Sequence, residues 1–160
     1  MIRIIFLLCL PALVALSGCQ NKAYFEQSAR TNPDNAIVYV YRPKATNPGK
    51  KPLRTSYPEL LVDGQGKGFL KYNQYLALEL PQGTHKFVAT GLTRDARWEP
   101  KDVDYTLNLE AGKTYYLRLR VEFNVDKMTL GSFTGQYLIH LHQVDESEAL
   151  YQIRHASPPS

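Results

Sequence analysis

Residues 109–120 read L-E-A-G-K-T-Y-Y-L-R-L-R: the end of one strand, a glycine-bearing tight turn, and a long tyrosine-rich strand. A near-copy lies upstream at residues 80–90, L-P-Q-G-T-H-K-F-V-A-T. Both follow Leu-x-x-Gly and then enter β-branched and aromatic residues. Three-residue hairpin loops end on a residue in the left-handed region, where glycine carries no Cβ penalty, and Gly83 and Gly112 fit that position. Two hairpins are therefore expected here, with the other strands added around them.

Working outward, residues 36–42, A-I-V-Y-V-Y-R, make a strand in which every side chain from Ile37 to Tyr41 is β-branched or aromatic. With no polar alternation, it is expected to be buried on both faces or to carry a tyrosine-lined surface. Residues 57–63 form a strand closed by Asp63-Gly64, a strong hairpin signal, and residues 66–72 return from it. Residues 75–80 alternate Leu76, Leu78 and Leu80, and residues 84–92 place His85, Phe87 and Ala89 on one face. Val103, Tyr105, Leu107 and Leu109 alternate with polar residues, the signature of a half-buried strand. Residues 113–124 put Tyr115, Leu117, Leu119 and Val121 on one face and Tyr116, Arg118, Arg120 and Glu122 on the other. Residues 136–144 are the last strand, and acids at 145–148 open a short helix over 148–154. Eight or nine short strands with turns every eight to twelve residues predict an all-β domain, an antiparallel β-sandwich with a short C-terminal helix.

The 160 residues suit one domain with a real core. Eleven tyrosines against one tryptophan favour strands over helices. A net charge of +4 is small and scattered, and does not point to nucleic acid. The two cysteines, Cys9 and Cys19, both lie outside the body of the domain.

The N-terminus accounts for both. Arg3 precedes an apolar run, residues 4–15, broken only by Pro11. It is shorter than the roughly 20 residues that cross a bilayer and matches a secretory signal core. Leu16-Ser17-Gly18-Cys19 resembles the lipobox of bacterial lipoproteins. That resemblance implies a signal peptide over 1–18, cleavage before Cys19, a diacylglycerol on its thiol and a further acyl chain, such as palmitate, on its amine. A cleaved signal with a chance cysteine is the alternative. With Cys19 acylated, no intrachain disulfide can form, so the fold must hold by packing. Gln20, where the sorting signal for inner-membrane retention has Asp, implies the periplasmic face of the outer membrane. Residues 19–35 are expected to be a tether reaching at most about 50 Å, residues 36–154 the sandwich, and 155–160 a disordered tail.

The lipobox, V-Y-V-Y-R (38–42), V-D-G (62–64), L-P-x-G-x-H (80–85) and A-G-x-x-Y-Y (111–116) together are similar to bacterial envelope lipoproteins carrying a domain of unknown function of the DUF2846 type. The resemblance covers about residues 35–154 and implies a fold rather than a site, since no catalytic residues come with the family. The basic connection over 43–56 departs from it.

Candidate sites are few. Lys50, Lys51 and Arg54, with Lys44, lie in that connection without an acid, and would either meet lipid phosphates or an acidic partner or keep a solvated loop soluble. Trp98, on the polar loop 93–102, would be a ligand platform or, as expected, a cap on the core. Arg118 and Arg120, in phase with Tyr116, form a basic-aromatic strip that would decorate the surface or meet a glycan or protein partner. His140-x-His142 places two imidazoles on one strand face about 7 Å apart, workable for one metal ion, but zinc asks for three or four ligands; two solvated histidines are the expectation. His85 is expected to bond the preceding turn. No nucleophile elbow is present, and no cofactor is implied. The expectation is a non-enzymatic, lipid-anchored binding or accessory module with an envelope protein or glycan as partner; the alternatives are a metal-dependent protein or small enzyme built on His140 and His142, or a lipid- or glycan-binding module using the basic loop 43–56.

Overall fold

The computed structural model describes residues 24–44, 56–94, 96, 98, 102–123 and 137–159. Among these residues eight strands and one helix follow in order: β1 (Asn35–Arg42), β2 (Glu59–Val62), β3 (Gln65–Phe69), β4 (Gln74–Pro81), β5 (Gly83–Thr90), β6 (Asp102–Leu109), β7 (Thr114–Phe123), β8 (Tyr137–Val144) and α1 (Glu146–Ile153). They form two four-stranded sheets packed face to face, ordered β4-β1-β7-β8 and β3-β2-β5-β6. The β-sandwich with a C-terminal helix is as the alternation predicts.

One pairing is not antiparallel: β1 runs parallel to β7, with Ile37 opposite Thr114 and Tyr41 opposite Arg118. A parallel neighbour suits β1 because it is buried along both faces, the first of the two outcomes its unbroken apolar run allowed. Val38 and Val40 point into the main core with Leu60, Phe87, Leu117, Leu119 and Leu141. Ile37, Tyr39 and Tyr41 point the other way, into a second cluster with Tyr116, Ala149, Ile153 and Ala156. The molecule thus has a third layer, made by α1 and the N-terminal segment, over the outside of the first sheet.

The two Leu-x-x-Gly turns are not hairpins. β4 lies in the first sheet and β5 in the second, while β6 lies in the second and β7 in the first. Each turn therefore carries the chain across the core from sheet to sheet. Gly83 and Gly112 do adopt positive φ, 130° and 76°, so the glycine requirement is met, but in an arch rather than a hairpin. The physical reason is that turn chemistry encodes a change of direction, whereas the hydrogen-bond partner of the next strand is chosen by the whole sheet. β4 is taken along its length by β1, and β5 by β2 and β6. Asp63-Gly64 is a hairpin turn, with φ of 51° and 79° at its two residues, the doubly left-handed geometry of type I′.

Both ends of the described chain belong to the domain. The segment expected to be a free tether lies across the first sheet: Phe25 meets Tyr39 and Tyr75 edge-on at 4.9 and 5.0 Å, and its amide donates to the Arg154 carbonyl at 2.9 Å. The tail expected to be frayed is pinned as well. Ala156 is buried, Tyr75 N donates to Ser157 O at 3.1 Å, and Ser157 N donates to Asn73 O at 3.1 Å. That pairing covers part of the β4 edge, which otherwise presents open backbone groups.

Glu79 fastens the segment before β1. Its carboxylate accepts from Thr31 Oγ1 at 2.6 Å, Thr31 N at 3.0 Å, Asn32 N at 2.7 Å and Asn35 Nδ2 at 3.2 Å. These bonds, the Thr31 hydroxyl first, pull its pKa down to about 2. The folded value lies below the unfolded carboxyl value of about 4.3, so this fastening is complete above the unfolded value and is lost as pH falls through the folded one. Amide protection at Thr31 and Asn32, corrected for intrinsic exchange, is expected to drop between about pH 4 and pH 2, and at neutral pH in Glu79→Ala. Unchanged protection in Glu79→Ala would remove the role given to this carboxylate.

Candidate functional site

The residues put forward from sequence fall in three places. Lys50, Lys51 and Arg54, with the lipobox and Cys19, lie outside the described residues. The connection that holds the three cations leaves from Lys44 and returns at Ser56, beside Arg42. Arg42 is fully buried; its Nη1 donates to Ser56 O at 2.9 Å and its guanidinium lies 3.7 Å from the Tyr72 ring centre. Burial lowers the Arg42 pKa, opposed by Tyr72.

Trp98 is not a surface platform. It is 6% exposed and belongs to the main core. The ring lies over Gly91, where a Cβ would come within 2.5 Å of its Cε2 and Nε1. The cap reading holds. Among the described residues Trp98 Nε1 has no hydrogen-bond partner.

The third place is the outer face of β7 and β8. Their register sets Arg118 opposite His142 and Arg120 opposite His140. The alternation reads correctly: Ile139 and Leu141 are buried, while Leu138 and His140 face out. Arg118 and Arg120 nonetheless differ. Arg118 is only 11% exposed as a side chain, because α1 lies over it. Its Nη1 donates to Glu148 on α1, and its Nη2 donates to His142 Nε2 at 2.8 Å. Arg120 stays half exposed and pairs with Glu122 at 2.5 Å.

This arrangement decides the protonation of His142. A nitrogen that accepts from a guanidinium carries no proton, and burial, then the Arg118 charge, push the His142 pKa down. The Nε2 lone pair that a metal would need is therefore held by an arginine. Among the described residues no group of three or more His, Cys, Asp or Glu side chains is placed to hold a metal ion. A hollow of about 390 Å³ adjoins the pair, lined by Tyr105, Arg118, His142, Asp145 and Glu148 among others, where the β6 and β8 edges meet.

Around Arg118 the tyrosines are tied to the covering layer. Tyr41 donates to Gln152 Oε1 at 2.9 Å. Tyr116 accepts from Gln27 Nε2 at 2.7 Å and donates to Glu146 Oε1 at 3.3 Å. Burial, then the Glu146 charge, raises the Tyr116 pKa to about 12, so these hydroxyls serve as neutral hydrogen-bonding groups.

His85, expected to bond the turn before it, does so. Its Nε2 lies 3.0 Å from Pro81 O and its Nδ1 2.7 Å from Asp63 Oδ2. It therefore clips the β4–β5 arch to the Asp63-Gly64 hairpin. Asp63 also accepts from Lys86 N at 2.9 Å; that bond and the one from His85 lower its pKa.

Sequence reasoning missed Glu148 as the partner of Arg118, and Glu79, Gln27 and Asp63 as fasteners. The acids of α1 were legible as a helix start. Which cation one of them meets depends on the helix folding back over the sheet, for which no local signal exists.

A family model matches residues 32–133, described as a protein of unknown function, DUF2846. The chain belongs to that family. The match takes in β1 to β7 of the DUF2846 domain and ends before β8 and α1, so Arg118 lies inside it while His140, His142 and Glu148 lie outside. Searches of curated proteins and of solved structures returned no match.

Proposed function

We propose that this DUF2846 protein is a lipid-anchored cell-envelope protein, held through Cys19 at the periplasmic face of the outer membrane. Its domain serves as a non-enzymatic binding or accessory module for an envelope protein or glycan. The anchor rests on Leu16-Ser17-Gly18-Cys19 at the end of a short apolar run. The observation that carries the non-enzymatic part is that, among the described residues, the arginine, histidines and acids singled out around Arg118 and His85 are engaged by one another. Arg118 is taken up by Glu148 and His142, and His85 by Asp63 and Pro81. Among the described residues, the outer face of β7 and β8 beyond α1 keeps Arg120, paired with Glu122, and Leu138 and His140 at the surface, where a partner can reach them. Arginine is among the side chains that interfaces favour.

The test is crosslinking inside intact cells, from a photoreactive residue replacing Arg120, with Cys19→Ser as control. A reproducible protein or glycan adduct, lost in the control, is the expected result. Radiolabelled palmitate should enter the wild type and not Cys19→Ser; equal labelling of both would end the anchor. Zinc uptake by the Cys19→Ser protein that disappears in His140→Ala would replace the module by a metal-dependent protein.

A further inference from the structure

We infer that the end of the sandwich at which Tyr24 enters lies flat on the bilayer that holds the anchor, with Tyr24, Leu150, Tyr151, Arg154, His155 and Lys71 as the contact surface. This rests on the Cys19 anchor proposed above and adds an orientation to it.

The first support is the length of chain available. Cys19 is five positions before Tyr24, and five residues span at most about 17 Å. The segment from Tyr24 onward cannot lengthen that reach while Phe25 stays bonded to Arg154 and packed on Tyr39 and Tyr75. A tether reaching about 50 Å would let the domain tumble; one about 17 Å long holds one particular end against the surface.

The second is what that end carries. Tyr24 lies 5.2 Å from the His155 ring and beneath the Arg154 guanidinium at 4.6 Å. Asn73 Nδ2 donates to His155 O at 2.9 Å, which brings the turn that follows Lys71 alongside. Tyr151 precedes Arg154 by one helical turn, so the two share a face of α1. Tyr151 is 82% exposed, Tyr24 57% and Leu150 37%. The core face of α1 is made instead by Ala149 and Ile153. Exposed tyrosines beside arginine and lysine are the side chains that settle at the headgroup level of a membrane.

The third is charge. Lys71, Arg154 and Lys44 all stand exposed at this end, with Glu26 the acid nearest Tyr24 in sequence. The acids of α1, Glu146 and Glu148, sit in its first turn, at the far end of the helix. Basic residues within a Debye length of anionic headgroups are attracted to them.

Labelling at single cysteines tests this, because Cys19, the other cysteine after cleavage, is blocked by its acyl chain. The lipidated protein is placed in vesicles of phosphatidylethanolamine and phosphatidylglycerol. An environment-sensitive fluorophore is attached at Tyr151→Cys or, at the opposite end of the sandwich, at Gln82→Cys. Headgroup-labelled quenching lipid is expected to quench the label at 151 several-fold more than the label at 82, with a blue shift at 151 alone. Equal quenching at the two sites, in samples that still float with the vesicles, overturns the orientation and leaves the anchor standing. Loss of flotation removes the anchor, and this inference with it.

Discussion

Replacing Tyr39 by alanine is expected to lower the unfolding free energy by about 3–5 kcal/mol, the usual cost of truncating a buried aromatic. Tyr39 is fully buried at the centre of the layer that joins the first sheet to its covering. It stacks on Tyr116 at 5.5 Å and takes Phe25 edge-on at 4.9 Å, while its hydroxyl accepts from Ser28 N at 2.5 Å. Truncation opens a cavity shared by β1, β7 and the N-terminal segment, and leaves the Ser28 amide without its acceptor. Tyr39→Phe keeps the rings and removes only the hydroxyl, at about 1 kcal/mol. Urea unfolding followed by circular dichroism measures both. A loss below about 1 kcal/mol for Tyr39→Ala would show that the segment and α1 contribute nothing to the sheet they cover, and the short reach from Cys19 would go with it.

Trp98→Ala is expected to cost a similar amount, about 3–5 kcal/mol. A ligand platform on a solvated loop would cost far less, so the size of the loss separates the two roles. Gly91 supplies an independent check. A methyl group there meets the indole at 2.5 Å, so Gly91→Ala must displace the ring, at about 1–3 kcal/mol for overpacking. In a Trp98→Ala background that penalty is expected to vanish, because the clashing atoms are gone; two residues in contact are non-additive in this way. Additive losses in the double variant would mean that the indole does not lie over Gly91.

Much of the fold was legible in the chain. β1 announced either burial on both faces or a tyrosine-lined surface through the run Ile37–Tyr41, and β6 and β7 announced their core faces through period-two alternation. Asp63-Gly64 announced a hairpin through two residues that tolerate positive φ. Each of these is a local property, set within a few residues by sterics or by the alternation of side chains across a strand. The candidate site was less legible. Arg118 and Arg120 look equivalent in sequence, two positions apart on one face. Only the helix returning over β7 makes one of them a largely covered partner of Glu148 and His142 and leaves the other at the surface.

By itself, then, the sequence determined the strands, their inward faces, the glycine turns, the class of the fold and the anchor motif to be tested. Tertiary structure alone decided that the two Leu-x-x-Gly turns arch between sheets, that β1 runs parallel to β7, and that residues 24–34 and 155–159 belong to the domain. The division has one physical reason. Side-chain alternation and turn sterics act between neighbours in the chain, whereas strand pairing and the covering of a sheet face are settled by which distant surfaces bury the most apolar area while satisfying every backbone hydrogen bond.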